Sequence, residues 1–360
     1  MSSAQSTLNF NSFFKGGKSM AQSQNAPQRE IAIPWIEKYR PKTVGEITSQ
    51  DEIVLFFKEV LVTGDLPNLM LYGPPGTGKT SSIIAMARDL FGSDQMHSRV
   101  LELNASDERG IQVIREKVKT FAQLTVSETS HMVTGKKLPP YKLIVLDEAD
   151  NMTSSAQAAL RRIMESSLST TRFCLICNYI TKIIDPIVSR CTSFYFKPLK
   201  VSECLGRLKY IQEKEDLDIS EQNLEFLVRF SDGDLRRAIM YLQSCRYFKG
   251  EAITMDILSE ICGVVPNSYF NKIIETLQNG SFADVCKLSQ DFVASGYSIT
   301  KLVNQILDFT LMSATITDVQ KSDILLKLSN VDRILSDGAD EFLQVISTLS
   351  HIFEVIHTQG

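Results

Sequence analysis

Residues 69–82 read LMLYGPPGTGKTSS. A short apolar run, a glycine-rich loop and a helix-compatible stretch follow one another. Gly73 to Thr80 fits G-x-x-x-x-G-K-[ST]. Such glycines let the backbone curl so that its N–H groups point inward at phosphate oxygens. The loop Gly73, Pro74, Pro75, Gly76, Thr77 and Gly78, with Ser81 just beyond it, is therefore expected to hold a nucleotide's phosphates. Lys79 would reach the β- and γ-phosphates, and Thr80 would offer its hydroxyl to Mg²⁺. The following helix turns its positive end towards the anion. Lys79 is expected to face solvent until a ligand arrives. The alternative is a fortuitous glycine loop, and the flanking strand and helix patterns weigh against it.

Two more apolar runs end in polar residues. YKLIVLDEAD, 141–150, ends a strand pattern with Asp147 and Glu148. An acid at that strand end can help hold Mg²⁺, and its neighbour Glu148 is suited to polarise an attacking water. Two solvated acids are the alternative. TTRFCLICN, 170–178, closes on Asn178, which reads equally as a group orienting water near a γ-phosphate or as a turn residue. Cys174 and Cys177 form a C-x-x-C, but inside a strand they face opposite ways, and no second pair follows at zinc spacing.

The surroundings agree with these motifs. From Ile31 to Leu199, short continuous apolar runs alternate with stretches whose apolar residues recur at three and four. Strands of that kind suit a parallel sheet buried on both faces, so an α/β core is expected. Beyond Leu199 the pattern is helical throughout. VSECLGRLKYIQEKE and NLEFLVRFS read as short helices, and EFLQVISTLSHIFEVI is unusually apolar for a surface helix. The expected divisions are a tail at 1–30, an α/β core at 31–199, a small helical part at 200–262 (the lid) and an all-helical part at 263–360 (the collar). The tail is rich in Ser, Gln and Asn, and its Phe10, Phe13 and Phe14 suit either a short docking motif or loose packing.

Bulk composition narrows the classes. The chain has 360 residues, enough for two or three domains, with 43% hydrophobic and 22% charged residues. No apolar run is long enough to span a bilayer, so no membrane partner is expected. The N-terminus does not read as a secretory signal. Seven scattered cysteines suit a reducing compartment, cytosol or nucleus. The formal net charge of -4 means that nucleic-acid binding would come from a local patch.

Taken in order, these motifs resemble the P-loop AAA+ ATPases. WIEKYRPK at 35–42, LELNASDERG at 101–110, LDEAD at 146–150, SRC at 189–191 and GDLRRA at 233–238 are similar to the small subunits of the eukaryotic clamp loader, replication factor C. The resemblance covers 31–262 strongly, and GADEFLQ at 338–344 extends it into the last domain. It implies a nuclear, ATP- and Mg²⁺-dependent subunit of a hetero-pentamer. Such an assembly opens a sliding clamp and places it on primer–template DNA. It also implies that Ile36 and Arg40 lie by the nucleotide, that Asn178 senses the γ-phosphate, and that Arg236 reaches the phosphates from the lid. One of Arg236 and Arg237 is expected to remain on a solvated helix face.

DNA contacts would come from helix starts and adjacent basic residues. Arg109 and Arg115 lie at and just inside one such start, and Lys182 follows Asn178. TSSAQAALRRIMES opens with a candidate capping box, Ser154 with Gln157, and carries Arg161 and Arg162. Each basic residue alone reads equally as an ordinary exposed charge. No aromatic platform interleaves them, so backbone, sequence-independent binding is expected rather than base stacking. A helicase or remodeller of the same superfamily and a nucleotide-holding scaffold are the competing readings. Pore-loop aromatics are lacking for the first, and intact Lys79, Thr80, Asp147 and Glu148 speak against the second. Arg190, in IIDPIVSRCTSF, is expected at a surface edge after a turn into a short helix. The SRC match implies that it acts in trans on an adjacent subunit's ATP, and a core role is the alternative.

Overall fold

The structure is a computed structural model that describes residues 33–106, 111–123, 132–133, 136–248, 253–314 and 316–358. The fold lies in the unit Trp35–Gly360. Phe10, Phe13, Phe14 and Arg109 lie outside the described residues.

The first elements are α1 (Trp35–Lys38), α2 (Asp51–Thr63), β1 (Leu69–Tyr72), α3 (Lys79–Phe91), α4 (Met96–Arg99), β2 (Val100–Asn104) and α5 (Ile111–Gln123). A two-stranded antiparallel hairpin, β3 (Met132–Val133) and β4 (Lys136–Lys137), precedes β5 (Lys142–Asp147). Then come α6 (Ser154–Ser166), β6 (Thr171–Cys177), α7 (Asp185–Val188) and β7 (Thr192–Tyr195). Five strands form one sheet in the order β2-β5-β6-β1-β7, with every neighbouring pair parallel.

Alternation along the strands sorts side chains onto two faces. Leu69, Leu71, Leu143, Val145 and Cys174 join the cluster that α2 and α3 cover. Met70, Ile144, Leu146, Leu175 and Cys177 join the cluster on the face of α5 and α6. Both faces are buried, which is why the strands read as continuous apolar runs. Cys174 and Cys177 fall in different clusters, and among the described residues no group of three or more His, Cys, Asp or Glu could hold a metal ion. β1 lies between β6 and β7, and the chain leaves it for β2 at the far edge. Ligands of open α/β sheets bind beyond the strand carboxyl ends at such a switch.

One cap differs from expectation. The N-cap of α6 is Thr153, whose Oγ1 accepts from Ala156 N at 3.3 Å, and Ser154 is already helical. Gln157 caps nothing. It is buried, donates to Met152 O at 3.2 Å and Lys182 O at 3.0 Å, and accepts from Ile184 N at 2.9 Å. An amide with three internal partners is worth more there than in water at a helix end.

After β7 the described chain is helical. α8 (Val201–Glu215), α9 (Glu221–Phe230), α10 (Leu235–Cys245) and α11 (Met255–Cys262) pack around Leu208, Ile211, Leu227, Ala238 and Leu242. Trp35 of α1 is buried in this cluster, and its backbone N donates to Gln243 Oε1 at 3.0 Å. α12 (Asn267–Asn279), α13 (Phe282–Ala294), α14 (Ile299–Met312), α15 (Asp318–Ser336) and α16 (Glu341–Thr358) share a further core. α16 packs against α12, α13 and α15, which accounts for its apolar composition. Among the described residues no helix is long and apolar enough to cross a membrane.

Candidate nucleotide site

The turn after β1 is built from close approaches that side chains would block. A Cβ on Gly73 would meet Phe196 O at 2.3 Å, where the chain leaving β7 crosses the loop. Gly76, at φ +72°, would place a Cβ 1.8 Å from Asp234 Oδ1. The phosphate loop therefore touches the N-terminus of α10, and only glycine fits at that contact. Asp234 caps α10 there, accepting from Arg236 N at 2.8 Å and Arg237 N at 3.3 Å.

Lys79 opens α3 but does not face solvent. It is 6% exposed, and its Nζ donates to Gly73 O at 2.8 Å, Pro74 O at 2.7 Å and Asn178 Oδ1 at 3.1 Å. The expectation of a solvent-facing lysine is corrected: a buried ammonium needs acceptors, and the loop's own carbonyls supply them. Burial lowers its pKa; Asp147 opposes this and Arg236 adds to it. An anion beside Nζ would restore the charge that burial penalises. Thr80 Oγ1 donates to Asp147 Oδ2 at 2.6 Å, joining the start of α3 to the end of β5.

Glu148 stands just past β5 in a left-handed conformation, φ 53°. Its N–H donates to Asp147 Oδ1 at 2.9 Å, and Asn151 Nδ2 donates to its Oε2 at 3.1 Å. Asp150 Oδ2 accepts from the N–H groups of Asn178 and Tyr179, both at 3.3 Å. The end of β5 and the end of β6 are thereby tied together beneath Lys79.

A cavity of about 330 Å³ lies between this loop, α1 and the lid helices. Of the expected nucleotide residues, Ile36, Arg40, Gly76, Thr77, Gly78, Thr80, Ser81, Asp147 and Arg236 line it. Gly73, Pro74, Pro75, Lys79, Asn178 and Glu148 are not in its wall; all but Glu148 and Pro75 meet at Lys79 Nζ. Arg40 Nε donates to Ser81 Oγ at 3.2 Å. Arg237 instead lies by Asp232 and Asp234, at 3.8 and 3.9 Å, on an exposed face. Sequence reasoning missed Ile47, Leu199, Arg207, Leu235 and Ile239, which also line the cavity. Leu235 and Ile239 were findable, being one helical turn apart around Arg236. Arg207 donates to Tyr39 O at 2.5 Å and carried no local signal.

The residues fit both a nucleotide and a magnesium ion. The apolar wall of Ile36, Ile47, Leu199, Leu235 and Ile239 suits a flat base, and the volume suits a small-molecule pocket. A hydroxyl and a carboxylate already in contact are the hard oxygen donors that Mg²⁺ takes alongside phosphates and water.

The other expected site residues lie apart from this cavity. Arg190 follows α7 on a partly exposed edge, its Nη1 donating to Pro186 O at 2.6 Å. Lys182 is exposed at the end of the turn Ile180–Lys182. Its Nζ lies 5.1 Å from the ring of the exposed Tyr179. Arg115 falls in α5, but its side chain is outside the described residues.

Three family models match successive parts of the chain. They are the ATPase family associated with various cellular activities (AAA) at 69–199, the RCF1/5-like AAA+ ATPase lid domain at 206–247, and the replication factor C C-terminal domain at 265–351. Replication factor C subunit 4 of Homo sapiens is 49% identical, covering 94% of this chain and 93% of its own. Replication factor C subunit 2 of Saccharomyces cerevisiae is 44% identical, with 95% and 99% covered. The replication factor C small subunit of Archaeoglobus fulgidus is 40% identical, with 88% and 96% covered. Among solved structures, a mutant of RuvB from Thermotoga maritima superposes with a TM-score of 0.50 at 17% identity, over 67% of this chain and 80% of that one. That likeness shows a shared AAA+ fold. Identity that runs from the phosphate loop through the last helical domain favours a clamp-loader ATPase over a helicase, a remodeller or an inert scaffold. The chain belongs to the replication factor C small-subunit family of AAA+ clamp-loader ATPases.

Proposed function

We propose that this chain binds and hydrolyses ATP with Mg²⁺ inside a nuclear hetero-pentamer of related subunits. That assembly opens a sliding clamp and closes it on primer–template DNA. The observation that carries the proposal is the convergence of the phosphate loop, Asp147 and the lid's Arg236 on one cavity. The sheet-bearing core and the helical lid would both contribute to the same nucleotide, so its phosphates would link them.

Gly73–Gly78 would cradle the phosphates through backbone N–H groups, and Ser81 and Arg40 would border them. Ile36 with the lid residues Leu235 and Ile239 would cover the base. Thr80 and Asp147 would hold Mg²⁺, which would supply positive charge to offset that of the phosphates. Lys79 would exchange Gly73 O and Pro74 O for phosphate oxygens while keeping Asn178 within reach. Glu148 would turn from Asn151 to polarise the water, and Asn178 and Arg236 would report the γ-phosphate. Arg190, absent from this cavity, would serve the ATP of an adjacent subunit. Arg109, Arg115 and Lys182 would follow the DNA backbone without reading bases. The parts would divide at 31–199, 200–262 and 263–360.

Co-purification tests this directly. The chain should emerge with one copy each of related subunits, and the assembly's ATPase should rise with clamp and primer–template DNA. A homo-oligomer that translocates on DNA without any clamp would overturn the proposal.

A further inference from the structure

Arg190 is held at both ends of its guanidinium. Nη1 donates to Pro186 O at 2.6 Å, and Nη2 lies 2.7 Å from Glu165 Oε1 on α6. The same Oε1 accepts from Arg161 Nε at 3.0 Å. All three side chains are part-exposed, at 37%, 40% and 43% for Arg190, Glu165 and Arg161. The Glu165 carboxyl is held below the usual carboxylate range, first by the Arg161 hydrogen bond and further by Arg190. Two cations thus share one oxygen, and one of them, Arg161, is itself a candidate DNA contact. A guanidinium fork with two fixed acceptors samples fewer rotamers than one in water.

We propose that Glu165 is a positioning residue that aims Arg190 at the neighbouring subunit's nucleotide, and that Arg161 modulates that aim in response to DNA. The proposal rests on the reading of Arg190 as a group supplied in trans. Without DNA, Arg161 occupies part of the Glu165 carboxylate and weakens its hold on Arg190. A backbone phosphate that draws Arg161 away leaves Oε1 to Arg190 alone. The remaining pair then tightens, because one carboxylate oxygen no longer divides its charge between two donors. DNA on α6 would in this way raise hydrolysis at the adjacent site, with no change in that site's own residues. Exposed ion pairs are individually weak, so the effect is one of orientation and of modest size.

The experiment uses the full assembly with only the neighbour's ATP site left competent, and reads hydrolysis with and without saturating primer–template DNA. Glu165→Gln keeps the side chain's shape and removes its charge. It should lower the DNA-stimulated rate about two- to fivefold, the range of an exposed ion pair, with an unchanged KM for ATP. Arg161→Ala should raise the DNA-free rate by a similar factor and shrink the stimulation by DNA. Effects of opposite sign from two partners of one ion pair would not arise from a merely structural role. Arg190→Ala separates the two layers. If it leaves the neighbour's rate unchanged, the trans reading fails. If it silences that site while Glu165→Gln and Arg161→Ala leave the DNA response as in the wild type, or shift it the same way, the positioning proposal is overturned.

Discussion

Gly76→Ala should pry the phosphate loop and the lid apart. The added Cβ would lie 1.8 Å from Asp234 Oδ1, 2.3 Å from Asp234 Cγ and 2.9 Å from Asp234 Cα, at a backbone φ of +72°. A left-handed alanine costs about 1–2 kcal/mol relative to glycine. Displacing Asp234 removes the cap of α10, worth about 1 kcal/mol. The ligand-free chain should therefore lose roughly 2–3 kcal/mol in urea unfolding followed by circular dichroism. Arg236 starts from that same cap, so affinity for a fluorescent ATP analogue should fall together with stability. Asp234→Ala alone should cost about 1 kcal/mol. The double variant should cost less than the sum, by about 1 kcal/mol, because the two nearest clashing atoms are gone. Additive losses would refute the claim that loop and lid meet at this contact.

Lys79→Ala should weaken ATP binding about 10- to 100-fold, the scale of a lost charged hydrogen bond, in isothermal titration. Its folding stability should move by less than about 1 kcal/mol, since relief of a buried ammonium offsets three lost hydrogen bonds. Arg236→Ala should reduce nucleotide-dependent closure and hydrolysis, whereas Arg237→Ala, on its exposed face, should leave both near wild type. Burial pushes the thiols of Cys177 and Cys262 up to about 12, and those of Cys204 and Cys245 up to about 11. Unfolded thiols ionise near pH 9 while the folded ones stay protonated, so stability present below pH 9 is lost as pH rises towards 11. The loss should reach roughly 1.4 kcal/mol per thiol per pH unit in that window, and alkylation at pH 8 should spare these four cysteines in the folded chain.

How much of this could be read from the sequence depended on how local each cause was. Gly73 to Thr80 is contiguous, so its loop was legible residue by residue. Asp147 was legible because a fully buried parallel strand ends where its apolar run ends. The continuous runs gave the α/β core, and the loss of strand pattern after Leu199 gave the helical remainder. Contacts between distant segments were not legible. Lys79 and Asn178 are 99 residues apart, and their hydrogen bond, with the loop carbonyls, is what buries the lysine. Trp35 and Gln243 are 208 apart, and nothing around Trp35 announces a lid contact. Ser154 and Thr153 are both sound capping residues, so the choice fell to geometry. Gln157 matched a capping pattern but was claimed by Lys182 and Ile184. β7 escaped notice because its edge position leaves Thr192, Ser193 and Tyr195 exposed rather than apolar and buried.

The most direct test of a clamp-loading ATPase is Glu148→Gln in the reconstituted assembly, followed by single-turnover hydrolysis and clamp release. The substitution is nearly isosteric and leaves Asp147, Thr80 and Lys79 in place. ATP and clamp binding should persist while hydrolysis slows, so that assemblies accumulate on clamped DNA. Turnover and clamp release at the wild-type rate would contradict the account, because the chain would then hydrolyse ATP without Glu148 or load clamps without its own ATP site.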